Sequence, residues 1–206
     1  MKKNFTQNSS DSERQQLRKQ LLTRRGQLTS AERLAAEHAV ERHLLALPEL
    51  QRPCRVGSYY SVRAELPTQG INAKLQSAGH RLALPVLHPV VPRHLLFLHT
   101  DAATQWHRND YNIPEPALRC QDVVPLQQVD ILLVPLVGFD AQGNRMGMGG
   151  GFYDRTLAGW RAGHFPRLQP IGLALDEQFV EQLPTASWDV PLPRVICPAK
   201  VWDFRC

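Results

Sequence analysis

The chain has 206 residues, 43% apolar and 21% charged, a balance that supports a folded domain with a sizeable core and excludes a charge-rich disordered chain. No apolar run approaches the roughly 18–20 residues of a membrane helix, and the polar start after Lys2 and Lys3 lacks the apolar stretch of a secretion signal. The formal charge is +5, and the excess sits early: residues 1–55 hold 11 Lys/Arg against 6 Asp/Glu, leaving 13 against 13 in residues 56–206. Such a basic segment suits nucleic acid, an anionic surface or a phosphorylated small molecule. Cys54, Cys120, Cys197 and Cys206 are scattered with no C-x-x-C, which favours reduced thiols over a zinc site or a disulfide framework. His88, His94 and His99 match no metal-ligand spacing and read as structural or surface histidines.

Residues 1–10 are expected to form a disordered tail, with one domain over 11–206. Ser12-Glu13-Arg14-Gln15 has the form of a capping box, and Leu17, Leu21, Leu22 and Leu28 mark one face of a first helix. Arg14 and Arg18, four apart, share a face of it; on pattern alone this is a solvated basic face. Thr29-Ser30-Ala31-Glu32 is a second capping box, and the helix it opens runs until Pro48. Beyond Pro53, strands are expected at Arg55–Tyr60, Arg81–Leu87, Leu95–His99, Val129–Val137, Pro170–Leu175 and Arg194–Cys197. Helices are expected at Thr68–Ala78, closed by Gly79, at Tyr153–Gly163 and at Glu177–Leu183, and Trp106–Pro125 reads as a Pro-rich loop. The alternation argues an α/β fold: a mostly parallel sheet flanked by helices in a Rossmann-like three-layer arrangement, with an N-terminal helical pair. Ligands of such sheets sit at the carboxyl ends of the strands.

The most informative segment follows the Val129–Val137 strand. Six of the chain's 13 glycines lie between Gly138 and Gly151, and the helix beginning near Tyr153 leaves the loop. Strand, glycine loop and helix bind phosphate because the backbone can approach an anion closely and present its N–H groups at a helix N-terminus. Arg145 adds a bidentate cation, and Asp154 a carboxylate suited to a nucleotide's Mg²⁺. The loop lacks the Gly-Lys-Ser/Thr ending of a Walker A sequence, and G-x-G-x-x-G fails because position 152 is Phe. A tight turn that is glycine-rich for steric reasons is the plain alternative, which the flanking Arg145 and Asp154 disfavour.

Arg145-Met146-Gly147-Met148-Gly149-Gly150-Gly151-Phe152-Tyr153-Asp154 closely resembles the signature of the 5-formyltetrahydrofolate cyclo-ligase family, also called 5,10-methenyltetrahydrofolate synthetases. Arg14-x-x-Leu17-Arg18, Glu65-x-x-Thr68, Asn112-Ile113-Pro114-Glu115-Pro116 and Trp188-Asp189-Val190-Pro191-Leu192-Pro193 are similar to further family segments in the same order, the last in its bacterial form. The resemblance spans roughly residues 14–203. It implies an ATP- and Mg²⁺-dependent conversion of 5-formyltetrahydrofolate to 5,10-methenyltetrahydrofolate through a phosphorylated formyl intermediate, in the cytoplasm, by a monomer with no nucleic-acid or membrane partner. It implies ATP binding by Arg14, Arg18, Arg145, Met146, Gly147, Met148, Gly149, Gly150, Gly151, Phe152 and Tyr153. Folate would be bound by Tyr60, Glu65, Met148, Gly149, Gly150, Gly151 and Phe152, with Arg145 and Tyr153 as the catalytic pair and Asp154 on the metal. Two positions depart from some relatives: Gly150 replaces a loop Lys, and Pro193 an Asp at the metal site, with Asp189 nearby but out of register. Two other readings are a different phosphate-handling protein on this fold and a nucleic-acid-binding module using the basic N-terminal quarter. The first leaves Arg14, Arg18 and Glu65 unexplained, and the second lacks a recognisable motif and an aromatic stacking series.

Overall fold

A computed structural model describes residues 4–205, with side chains from residue 11 onward. In chain order the elements are α1 (Asn4–Gly26), α2 (Ser30–Leu45), β1 (Arg55–Gly57), α3 (Gln69–Ser77), β2 (Arg81–Leu87), β3 (Leu95–Thr100), β4 (Trp106–Arg108) and β5 (Pro114–Pro116). They continue with β6 (Ile131–Pro135), β7 (Gly138–Phe139), β8 (Arg145–Met146), α4 (Phe152–Arg161), β9 (Gln169–Leu173), β10 (Arg194–Ile196) and β11 (Val201–Asp203). Seven strands form one sheet in the order β11-β10-β9-β6-β1-β2-β3. The five central strands run parallel, while β3 and β11 close the two edges antiparallel. Counted along the chain, the parallel strands take the order 2-1-3-4-5, with β1 and β6 at the point where the order reverses.

Successive side chains along the strands point to opposite faces, both of them covered, which sets the layers. Ile131 and Leu133 of β6 and Leu82 and Leu84 of β2 face one side, where they meet Ala36, Val40 and Leu44 of α2 and Ile71 and Leu75 of α3. Leu132 and Val134 of β6, Ala83 of β2 and Val195 of β10 face the other, against Leu157 of α4. The expected three-layer α/β architecture is therefore present, with mixed edges added to a parallel centre.

Two local expectations hold at atomic detail. Thr29 caps α2 through a capping box: Glu32 N donates to Thr29 Oγ1 at 3.2 Å and Thr29 N to Glu32 Oε2 at 2.7 Å. β2 spans Arg81–Leu87 as expected. Other expectations need correction. The backbone of α1 is already helical at Asn4, so Ser12 lies inside the helix rather than at its cap; of the first ten residues, 1–3 fall outside the described residues. Of the four leucines expected to mark one face of the first helix, Leu21 is fully buried, Leu17 and Leu22 are half-buried, and Leu28 lies beyond the end of α1. Glu177–Leu183 forms no α-helix. A single 3-10 turn spans Asp176–Gln178, held by Leu175 N donating to Gln178 Oε1 at 2.8 Å, and Phe179 is extended. Within Trp106–Pro125, β4 and β5 pair as a hairpin, with Trp106 opposite Pro116. Among the described residues no helix is long and apolar enough to cross a membrane, and Cys54, Cys120 and Cys197 are free thiols.

Candidate active site

A cleft of about 1010 Å³ opens at the carboxyl ends of β1, β2 and β6, where the strand order reverses. Helix α1 lies across this edge. Arg14, Arg18, Leu21 and Arg25 recur at helical spacing and form one stripe facing inward. Arg14 and Arg18 line the cleft from above. The segment after β1 supplies Tyr59, Tyr60 and Glu65, β6 ends in Pro135 and Leu136, and the β8–α4 loop supplies Arg145 and Gly147 through Asp154. The structure thus brings Arg14, Arg18, Tyr60, Glu65, Arg145, Gly147, Met148, Gly149, Gly150, Gly151, Phe152, Tyr153 and Asp154 to one cavity. Met146 is placed differently: it is buried in β8, where its carbonyl accepts from Val137 N at 2.7 Å, and does not line the cleft.

On the phosphate side, the glycine loop turns through Gly149 (φ +95°) and Gly151 (φ +72°) before entering α4. Those dihedrals strain any residue with a Cβ, so the loop needs glycine there. Gly151 occupies the N-cap with no side chain across the helix N-terminus. Arg145 lies beneath the loop with its side chain 2% exposed, its Nη2 2.5 Å from Asp154 Oδ1 and its Nε buried without a protein partner. Arg18 Nε donates to Gly147 O at 2.8 Å, tying α1 to the loop. Burial, then repulsion from Arg14, draws the Arg18 pKa down from its usual value. Arg14 is held by Asp189, its Nη1 donating to Oδ2 at 2.6 Å and its Nη2 to Oδ1 at 3.1 Å. Three arginines thus converge on a glycine-lined helix start, a donor set matched to a polyphosphate.

Tyr59, Tyr60, Glu65 and Tyr153 line the same cleft. Glu65 Oε2 accepts from Val62 N at 3.0 Å, and Oε1 lies 4.0 Å from Arg25 Nη1. Burial pushes the Glu65 carboxyl up from the usual carboxylate range, opposed by the Val62 amide, Arg25 and Arg63. Tyr153 directs a buried hydroxyl with no protein partner, and burial together with Glu65 pushes its pKa well up. Tyr59 is shifted upward for the same reasons. At the rim Phe152 meets Tyr111 of the β4–β5 hairpin edge-on, with ring centroids 6.4 Å apart, while Met148 and Trp188 stand exposed.

Among the described residues no three His, Cys, Asp or Glu side chains gather as a metal cluster. The donor set fits a magnesium ion held largely by nucleotide phosphates, since such sites need only one or two protein carboxylates. Asp154 and Asp189 both line the cleft. Pro193 does not; it borders a separate crevice with Trp160 and Arg205. The Arg18 guanidinium stands beside the glycine loop, its Cζ 3.8 Å from where a Cβ on Gly149 would lie. Sequence reading missed Arg25, Tyr59, Tyr111 and the full part of Asp189. Arg25 was legible, because it follows Arg18 by seven residues on the same helix face; the hairpin that carries Tyr111 gives no comparable signal.

A model of the 5-formyltetrahydrofolate cyclo-ligase family matches residues 10–198. The chain is 42% identical over 181 residues to the 5-formyltetrahydrofolate cyclo-ligase of Escherichia coli K12, covering 88% of this chain and 98% of that protein. It is 44% identical over 179 residues to the Haemophilus influenzae protein of the same name, covering 87% and 94%. The NMR structure of Aquifex aeolicus 5,10-methenyltetrahydrofolate synthetase superposes with a TM-score of 0.78 at 27% identity, over 94% of this chain and 93% of that one. A Mycoplasma pneumoniae 5,10-methenyltetrahydrofolate synthetase shares the fold, with a TM-score of 0.70 at 23% identity over 90% and 98%. The chain belongs to the 5-formyltetrahydrofolate cyclo-ligase family of enzymes.

Proposed function

We propose that this chain cyclises 5-formyltetrahydrofolate to 5,10-methenyltetrahydrofolate with consumption of ATP and release of ADP and phosphate. The observation that carries the reading is one cleft lined both by a glycine loop with Arg14, Arg18 and Arg145 and by Tyr60, Glu65 and Tyr153. A formamide oxygen is a poor leaving group, so water is not expelled directly when N10 closes the ring. Transfer of the terminal phosphoryl group to the formyl oxygen forms a P–O bond and releases ADP. N10 then attacks the formyl carbon and loses its proton, and phosphate departs with the former formyl oxygen. Such chemistry asks mainly for positioning and charge stabilisation.

The loop amides, Arg14, Arg18 and Arg145 hold the triphosphate. The buried Arg145 Nε and the Tyr153 hydroxyl lack protein partners, and a phosphate oxygen and the formyl group respectively would satisfy them. Asp154 would hold a magnesium ion against the phosphates, where the ion neutralises charge developing in transfer. Glu65 accepts hydrogen bonds from pterin N–H groups, and Tyr60, Met148 and Phe152 pack against the folate. Arg14 and Arg18 turn toward the cleft rather than a solvent face, which supports a small-molecule substrate over nucleic acid. The single domain over residues 11–206 acts as a cytoplasmic monomer in this reading. The test is methenyl-folate absorbance with purified protein, 5-formyltetrahydrofolate and Mg²⁺. A rise that requires ATP supports the proposal, and no rise with folded protein refutes it.

A further inference from the structure

Arg25 is fully buried, and its polar contacts run to the turn that carries Glu65 and to the residue after β6. Its Nη2 donates to the Arg63 carbonyl at 2.8 Å, and its Nη1 donates to the Leu136 carbonyl at 3.4 Å and stands 4.0 Å from Glu65 Oε1. Leu136 follows β6 and Arg63 lies in the loop after β1, so one guanidinium joins the segments that leave the two strands flanking the reversal in strand order. The turn it grips is strained, with Arg63 (φ +49°) and Ala64 (φ +60°) both left-handed. A buried guanidinium persists only where its contacts offset the loss of water. We propose that Arg25 is a positioning residue for the folate side of the site: it clamps the Val62–Glu65 turn to the end of β6 and holds Glu65 oriented and negatively charged toward the pterin. This rests on the assignment of Glu65 to the folate in the proposed function.

The electrostatic consequence has a definite sign. The groups facing Glu65 are Arg25 from α1, Arg63 from its own turn, Tyr59 after β1 and Tyr153 from α4. Burial pushes the carboxyl up, and Arg25 and Arg63 draw it back, while the two phenols stay neutral because burial and Glu65 push them up. Removing Arg25 therefore raises the Glu65 pKa further and lowers the carboxylate fraction at a given pH. The acid limb of kcat/KM for the folate moves to higher pH.

The experiment measures KM for 5-formyltetrahydrofolate and for ATP, and the pH profile, in the parent, Arg25→Met and Arg25→Lys, with thermal melts as the folding control. Arg25→Met is expected to raise the folate KM about tenfold, leave the ATP KM unchanged and move the acid limb up by about one pH unit. Arg25→Lys, which keeps the charge, returns the limb toward the parent position. Both KM values rising together, a limb that stays in place, or kinetics like the parent's in Arg25→Met would each overturn the proposal. If Arg25→Met does not fold, Glu65→Gln carries the test: the acid limb should vanish with the ATP KM unchanged, and a limb that persists overturns it. A parent with no ATP-dependent turnover defeats the functional reading itself, whereas an active parent with an unmoved limb defeats only the role of Arg25.

Discussion

Replacing Arg145 with methionine removes the most deeply placed cation of the phosphate cradle. Its side chain is 2% exposed and bonded to Asp154 at 2.5 Å, and its Nε is free of protein partners. A preorganised donor aimed at charge that develops in the transition state is worth about 2.7–4 kcal/mol, or about 10²–10³ in kcat. The substitution also leaves Asp154 unpaired. Breaking a buried pair costs about 3–5 kcal/mol, but the Asp154 side chain is 26% exposed, so water recovers part of this.

 The expected loss of stability is therefore about 1–3 kcal/mol, and at about 2–4 °C per kcal/mol for a chain of this size the Tm falls by about 2–12 °C. The assay is kcat and the ATP KM at a temperature well below the transition, with Tm measured on the same preparation and Asp154→Asn completing a double-mutant cycle. A folded Arg145→Met variant with the parent's kcat refutes the cradle, and a lowered Tm without a lowered kcat makes Arg145 a structural residue only.

Three further outcomes are expected. Thr29→Ala removes the capping box of α2 and costs about 1 kcal/mol, seen as a lower Tm with kcat unchanged; an unchanged Tm would mean that the cap contributes nothing. Gly143→Ala places a Cβ 2.6 Å from the Leu192 carbonyl oxygen at a φ of +78°. The left-handed strain alone is about 1–2 kcal/mol, so its Tm should fall further than that of Thr29→Ala, and a smaller fall contradicts the clash. Burial, then Asp130, pushes the Cys54 thiol up to about 11, so it stays protonated at mildly alkaline pH. Alkylation mapped by mass spectrometry should label exposed Cys120 first and reach Cys54 only as the pH approaches that value; early labelling of Cys54 would contradict its burial.

The fold was legible where apolar pattern and a local signal agreed. Thr29 and Glu32 marked the start of α2, the apolar stretch after Arg81 marked β2, and the run around Ile131–Val134 marked the central strand, which is buried on both faces. It was illegible where tertiary contacts overrode local signals. Ser12-x-x-Gln15 looks like a cap, yet the helix continues through it. Glu177–Leu183 has helical composition, but Leu183 N donates to buried Asp140 Oδ2 at 3.1 Å, which holds this stretch to the β7–β8 turn. β11 is three residues long, and its pairing with β10 is fixed by the sheet rather than by its own sequence. In the site, the glycine loop and its flanking charges stand together in the sequence, so that half was readable. The contacts of Arg14 with Asp189 and of Arg25 with the Glu65 turn join residues 175 and 40 positions apart, and only the fold brings them together.

The central claim is that the formyl oxygen leaves as part of phosphate. The measurement is turnover of 5-formyltetrahydrofolate carrying isotopically heavy oxygen in its formyl group, with ATP and Mg²⁺, followed by mass spectrometry of the released phosphate. The account predicts one heavy oxygen in each phosphate formed. Heavy oxygen recovered in water, with phosphate unlabelled, would contradict it.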